Sequence, residues 1–132
     1  MSQENAEIVR DGFNALATGD FESFFALLDN DVEWVNPAYA VEPGTRLGID
    51  EFRGALGRMG ASFGNIRVEV DQVTDASGKV VVVGRWTGEG TGSGVTLENT
   101  FSSVLTLREG KVVRYEWFRT RAEALQAVGL SE

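Results

Sequence analysis

Alternation of apolar and polar residues along the second half of the chain constrains the fold more than any other feature. From 95 to 107 the odd positions are mainly apolar and the even positions mainly polar, and a similar alternation runs from 66 to 71. A period of two places successive side chains on opposite faces, which is typical of strands with one buried face. The second half therefore predicts long strands in an antiparallel sheet.

Short turn signals separate the predicted strands from one another. We expect strands at 79–90, 95–108 and 111–119, and a shorter strand at 32–36. The run Asp29-Asn30-Asp31 predicts a turn just before that shorter strand, since these residues favour turns.

The first half shows helical spacing instead. Apolar residues recur at this spacing from about 4 to 17 and from 49 to about 63, and Asp20 can cap a short helix between them. Thr120-Arg121-Ala122-Glu123 is a capping box that opens a C-terminal helix. These elements predict one α+β domain over residues 1–132, with a strongly curved antiparallel sheet wrapped around the N-terminal helices and a short C-terminal helix. Helices packed on the concave side would leave a closed-ended cavity.

The composition limits the chemistry that is open to such a cavity. The chain has no histidine, no cysteine and a net charge of −8. Because histidine is the commonest acid/base group and metal ligand, we expect no metal site and no cofactor. The negative charge argues against nucleic acid or an anionic membrane surface as a partner. The lack of cysteine and of a signal-like N-terminus fits a cytoplasmic location.

The segment EWVNPAYAVEPGTRLG, residues 33–48, places an amide, a phenol, a carboxylate and a guanidinium where a strand ends. It is either a polar surface loop or the rim of a small-molecule pocket. We expect Asn36 to face the pocket. The alternative is an asparagine that caps or turns the backbone.

Several polar residues fall within apolar strands. Asn99 and Ser103 lie on the apolar odd face, where an amide or hydroxyl needs a partner from the protein, from water or from a ligand. Arg85 follows a run of valines and is either a solvated cation or an inward arginine paired with a buried carboxylate. Glu116 is the candidate for that carboxylate.

The last predicted strand has two apolar faces. Strict alternation places Glu116 with Val112 and Phe118 on one face, and Tyr115 and Trp117 on the other. A second subunit would cover the second face, which would otherwise be an exposed apolar patch. The sequence therefore predicts a homodimer through the outer sheet face, with Trp117 and Tyr115 in contact.

Four stretches of sequence resemble the NTF2-like superfamily in its SnoaL-like and ketosteroid-isomerase-like branch. They are ATGDFESFFALLDNDVEWVNP, GIDEFRGAL, EGKVVRYEWF and RAEALQAVGL, the last of which is similar to the tail of many small bacterial members. The resemblance covers nearly the whole chain and implies a cone-shaped α+β fold with a hydrophobic pocket. Because this fold hosts many functions, it specifies the reaction only weakly.

The resemblance also allows three kinds of catalytic site to be compared. Ketosteroid isomerases carry an aspartate at the position of Asn36, a tyrosine near Phe13 and a second aspartate near Ser103, so all three groups are replaced here. SnoaL-type polyketide cyclases use an aspartate with a nearby histidine, and this chain has no histidine. Asn36, Arg85 and Glu116 match residues of the members that are similar to limonene-epoxide hydrolase. The proton-accepting tyrosine and the acid of those members are replaced in this chain.

Two functions from different classes remain open. One is an enzyme that acts on a small apolar metabolite by proton transfer, cyclisation or water addition, with Glu116 as base, Arg85 as its orienter or an oxyanion donor, and Asn36 as the donor that places water or a carbonyl. The other is a non-catalytic ligand-binding or dimeric interaction module. For both, the predicted ligand-binding residues are Phe13, Trp34, Tyr39, Phe52, Met59, Asn99, Phe101 and Ser103.

Overall fold

A computed structural model describes residues 2–38, 40, 43–90 and 92–130, with the side chains of all of these except 2–3 and 59–66. The architecture is α+β, as the sequence predicts. The helices are α1 (Ser2–Ala17), α2 (Phe21–Phe25), α3 (Ile49–Ser62) and α4 (Arg121–Ala127). The strands are β1 (Leu28–Asn36), β2 (Gly44–Leu47), β3 (Phe63–Asp75), β4 (Lys79–Gly90), β5 (Thr96–Arg108) and β6 (Lys111–Phe118).

The described strands form one curved sheet in the order β2-β1-β6-β5-β4-β3. Strands β1 and β6 pair in parallel, and every other pairing is antiparallel. Helices α1 and α3 contact β3 and β1 on the inner face, whereas α4 packs against β4, β5 and β6 on the outer face. None of the described helices is long and apolar enough to cross a membrane.

Side-chain caps fix where two helices begin, and both agree with the sequence prediction. The Asp20 carboxylate accepts a hydrogen bond from the backbone N–H of Ser23 at the start of α2. The Thr120 hydroxyl accepts one from the backbone N–H of Glu123 at the start of α4. Each cap satisfies a donor that the first turn of a helix leaves unpaired, so the two helices start at these residues.

Two features of the β1 region differ from the prediction. The turn expected at 29–31 is wrong, because these residues lie within β1, which already begins at Leu28. The Asp29 carboxylate accepts a hydrogen bond from the backbone N–H of Asp31, and the pairing of β1 with β6 shifts register before Glu33. An Asx bond of this kind imitates a turn locally without ending the strand. The strand β2 lies inside the segment interpreted as a loop.

An irregularity in β6 decides which of its residues face inward. The register with β5 shifts after Thr106, so that Leu107 lies opposite Val112 although Leu105 lies opposite Tyr115. A β-bulge of this kind inserts one residue and reverses the alternation beyond it. Val112, Tyr115 and Trp117 consequently share the inner face.

Two apolar clusters hold the sheet. The larger one lies on the inner face between the sheet and α1–α3, and includes Phe13, Trp34 and Phe52. The smaller one lies on the outer face, where Ala124 and Leu125 of α4 cover Val81 and Val104. The inner cluster contains the cavity described next.

Candidate functional site

A cavity of about 140 Å³ lies between the inner face of the sheet and helices α1–α3. Its described lining is apolar or aromatic throughout. The cavity reaches the surface beside Phe21, which is 52% exposed at the start of α2. The lining residues are Phe13, Leu16, Phe21, Phe24, Trp34, Phe52, Leu56, Val68, Trp86, Phe101, Tyr115 and Trp117.

Stacked aromatic pairs form the walls. The rings of Trp34 and Phe52 stack with centroids 4.3 Å apart and planes 11° apart. Phe13 stacks on Phe101, with centroids 6.0 Å apart. Both pairs join a helix to a strand, so the cavity wall is held by contacts between layers. Aromatic pairs in this geometry contribute about 0.5–1.5 kcal/mol beyond the area they bury.

A glycine in β4 makes room for one of these walls. A Cβ atom on Gly84 would lie 2.8 Å from the Phe101 ring and 2.4 Å from the Glu69 carbonyl oxygen. Both distances are shorter than a real Cβ contact, so Phe101 occupies the space that any other residue at position 84 would fill.

Among the described residues of the inner face, Ser103 and Trp117 bring polar atoms beside Tyr115. Burial raises the pKa of the Tyr115 phenol above its ordinary value of 10.0, while the nearby Trp117 indole and Ser103 hydroxyl act in the opposite direction. The phenol is therefore neutral at neutral pH and can donate a hydrogen bond. Ser103 and Trp117 lie near enough to the phenol to lower its pKa, yet neither Ser103 Oγ nor Trp117 Nε1 has a hydrogen bond of good geometry with a described residue.

The prediction that Arg85 pairs with Glu116 inside the cavity is wrong. Arg85 lies on the outer face, where its guanidinium is 2.8 Å from Glu69 and 3.3 Å from Asp71. The antiparallel register places Glu69 directly opposite Arg85. The valine run that suggested an inward arginine is split between two buried faces, since Val81 packs under α4 and Val82 packs in the inner core.

Glu116 also lies on the outer face, because the bulge in β6 turns Tyr115 and Trp117 inward. Its carboxylate is 3.1 Å from the Arg114 guanidinium, which is in turn 3.6 Å from Glu33 of the neighbouring strand. This placement separates Glu116 from the cavity by the thickness of the sheet. It also corrects the expectation that Tyr115 and Trp117 form an outer dimer contact.

The remaining predicted site residues are dispersed. Asn36 is buried at the end of β1, two positions after Trp34, but is not part of the cavity lining. Asn99 is exposed near the start of β5, beyond the part of that strand that the helices cover, so its expected burial is wrong. Tyr39 and the side chain of Met59 lie outside the described residues.

Four predicted ligand-binding residues line the cavity: Phe13, Trp34, Phe52 and Phe101. Ser103 is fully buried beside it. The sequence reasoning missed the contributions of Trp86, Tyr115 and Trp117. Alternation along β4 places Trp86 on the same face as Gly84, and this pattern could have indicated that Trp86 points inward. The inward direction of Tyr115 and Trp117 could be assigned only by knowing the bulge in β6.

Comparison with known proteins places this geometry in a family. A family model described as SnoaL-like domain matches residues 9–115. A comparison with curated protein sequences finds no match.

Solved structures share the fold over almost the whole chain. An NTF2-like protein from Burkholderia thailandensis E264 is 28% identical with a TM-score of 0.80, over 92% of this chain and 97% of that chain. A protein with a ketosteroid isomerase-like fold from Catenulispora acidiphila DSM 44928, in complex with trimethylamine, is 19% identical with a TM-score of 0.73, over 94% and 93%. TerC co-crystallised with polyporic acid is 24% identical with a TM-score of 0.77, over 94% and 97%. These similarities confirm the NTF2-like fold that the sequence predicts.

Proposed function

The chain belongs to the family of SnoaL-like domains, and from this premise we propose that its cavity binds a small, largely apolar molecule without transforming it. The observation that carries the proposal is the lining, which is apolar or aromatic at every described position. Such cavities favour apolar ligands because both partners lose contact with water.

The size of the cavity limits the ligand. Binding sites for drug-sized molecules usually measure about 300–1,000 Å³, and an apolar cavity of about 150 Å³ accommodates benzene. A volume of about 140 Å³ therefore suits a molecule of about one small ring. Structural neighbours hold small organic molecules, namely trimethylamine in one and polyporic acid in another, which supports this use of the fold.

The placement of the acid and base groups favours binding over catalysis. The carboxylate of Glu116 and the guanidinium of Arg85 are engaged on the outer face by Arg114 and by Glu69 and Asp71. A general base must lie within about 2.6–3.2 Å of the heavy atom whose proton it removes. Among the described lining residues only the Tyr115 phenol titrates, and burial raises its pKa. The non-catalytic module is therefore the better supported of the two functions.

A cavity-filling substitution tests the proposal. Val68 lines the cavity from β3, so Val68→Phe should weaken the binding of benzene by at least about tenfold, because the added ring occupies the ligand's place. Calorimetric titration measures the affinity directly. All three tryptophans of the chain line the cavity, so their fluorescence emission provides a second readout.

Val35→Phe is the matched control, since Val35 is half-buried on the outer side of β1, next in sequence to Trp34. It introduces the same side chain without entering the cavity and should leave the benzene affinity within about twofold. Benzene that binds the Val68→Phe variant as tightly as the wild type, or that does not bind the wild type at all, would refute the proposal.

Association into a dimer through the outer sheet face stays a prediction. Tyr115 and Trp117 are not available for such a dimer contact, because they line the cavity. Val81 and Val104 of the outer face are covered by α4.

A further inference from the structure

One residue that lines the cavity is also exposed to solvent. Phe21 is 52% exposed, and among the described lining residues it is the only one that is neither buried nor half-buried. Single apolar residues on a protein surface are common and need no special role. Phe21 differs from them because its ring lies between the cavity and water. One side chain therefore covers the cavity at the place where it reaches the surface.

The backbone that leads into α2 is held to the end of α1. Gly19 has a φ of +86°, and its N–H donates a hydrogen bond to the Leu16 carbonyl at 3.1 Å. The N–H of Asp20 donates to the Ala15 carbonyl at 2.9 Å. This pair of bonds is a Schellman motif, in which a left-handed residue ends the helix and the following residue bonds back to it. The chain just before Phe21 is thereby fixed.

The chain that leaves α2 is held to the start of β6. The Lys111 ammonium donates a hydrogen bond to the Ala26 carbonyl at 2.6 Å, and the N–H of Val112 donates to the Leu27 carbonyl at 2.8 Å. Phe24 of α2 is 2% exposed within the inner core. Because α2 is anchored at both ends and packed into the core, it cannot swing away from the cavity without breaking these contacts.

An ion pair also ties the first turn of α2 to α3. The Glu22 carboxylate accepts two hydrogen bonds from the Arg53 guanidinium, at 2.7 and 3.1 Å. The guanidinium lies over the Phe25 ring, 4.3 Å from its centroid. A bidentate pair of this kind fixes the geometry between its two elements. With the backbone held in these ways, the freedom that remains at the opening is rotation of the Phe21 side chain.

We propose that Phe21 is the gate of the cavity, and that rotation of its side chain admits and releases the ligand while α2 stays in place. This inference rests on the proposed function, because a gate has a role only if the cavity binds a ligand. Exposed side chains change rotamer within picoseconds to nanoseconds, so the gate limits exchange through the fraction of time that it is open. About half of the ring is already exposed, so opening costs only part of the burial free energy of a phenylalanine. This cost keeps the gate open for about one tenth of the time.

A gate has a kinetic signature that a wall residue lacks. The ligand passes the gate on entering and on leaving, so the open fraction multiplies both kon and koff and cancels from their ratio, the Kd. A residue that only contacts the bound ligand changes koff and leaves kon nearly unchanged. The two rate constants therefore separate the two roles.

Phe21→Ala removes the gate. We expect kon and koff for benzene both to rise about tenfold, while the Kd changes by less than about threefold. Stopped-flow tryptophan fluorescence at several benzene concentrations gives the two rate constants, since Trp34, Trp86 and Trp117 line the cavity. Calorimetric titration gives the Kd independently, and circular dichroism verifies that the variant is folded.

Two control variants isolate the side chain. Phe101→Leu alters the cavity wall away from the opening, since Phe101 lies on β5 and is 6% exposed. It should change koff and leave kon within about twofold. Glu22→Gln removes the charge that pairs with Arg53 but keeps Phe21, so it should leave both rate constants within about twofold.

Each remaining outcome overturns a stated claim. If Phe21→Ala raises koff alone, Phe21 is a wall residue; if it changes neither rate constant, the ligand passes elsewhere. Either result refutes the gate and leaves the binding cavity. Glu22→Gln that accelerates exchange as much as Phe21→Ala also refutes it, because the first turn of α2 would then be the moving part. Benzene that fails to bind the wild type refutes the proposed function and this inference with it.

Discussion

Trp34→Ala is expected to lower the free energy of unfolding by about 3–5 kcal/mol, the usual cost of truncating a buried tryptophan. Trp34 is 1% exposed, stacks on Phe52 of α3, and meets Tyr115 and Trp117 edge to face. It therefore joins the sheet to the helix layer at the wall of the cavity. Urea denaturation followed by circular dichroism measures the change.

Leu47→Ala is the control for this truncation. Leu47 is a large apolar residue on the edge strand β2, where it is 60% exposed, so its truncation should change the unfolding free energy by less than about 0.5 kcal/mol. A loss at Trp34 no larger than the loss at Leu47 would contradict the account of an aromatic wall that holds the two layers together.

Gly84→Ala is expected to destabilise the protein by about 1–3 kcal/mol, the typical cost of overpacking a core. The added methyl group would meet the Phe101 ring and the backbone carbonyl of Glu69 in the neighbouring strand. The carbonyl belongs to the sheet and cannot move aside as a flexible side chain would. Thermal and urea unfolding both report the change.

The same substitution at Gly57 should have the opposite sign. Gly57 is an exposed residue of α3, and beyond its own stretch of helix a Cβ atom there would meet none of the described atoms within 4 Å. Alanine in an exposed helix is favoured over glycine by about 0.5–1 kcal/mol, so Gly57→Ala should stabilise the protein. Equal effects of the two substitutions would show that close packing around Gly84 does not limit this part of the sheet.

The fold could be predicted from the sequence because its signals are local and repeated. Strand alternation, turn residues and the caps at Asp20 and Thr120 each depend on a few neighbouring positions. The prediction failed where a local signal had two meanings. Asp29-Asn30-Asp31 is rich in turn residues, but the Asx bond from Asp31 to Asp29 forms inside a continuing strand.

The site was harder to predict because a register shift of one residue moves every side chain that follows it to the opposite face of the sheet. A bulge in β6, where the β5–β6 register shifts between Thr106 and Leu107, places Tyr115 and Trp117 at the cavity and Glu116 on the outer face. Nothing in the alternation of β6 itself marks the inserted residue, since both of its faces carry apolar side chains. The assignment of Glu116 as an inward base followed from unbroken alternation and failed with it.

The outward position of Arg85 was hard to predict because the sequence alone does not identify its ion-pair partners. Its carboxylate neighbours, Glu69 and Asp71, come from β3, and only the register between β3 and β4 brings them to Arg85. The apolar wall of the cavity was easier to predict, because Phe13, Trp34 and Phe52 each lie on the buried face of the helix or strand that contains them. Apolar positions were thus predicted better than polar ones, because burial follows local periodicity while polar pairing follows register.

A crystal structure of the protein soaked with benzene tests the central claim most directly, which is that the inner-face cavity is the ligand site. The account predicts density for the probe in the cavity, beside Trp34 and Phe52, with the outer-face pairs of Arg85 and Glu116 unchanged. A probe bound on the outer face beside Arg85 or Glu116, or a cavity left empty at saturating benzene, would contradict it.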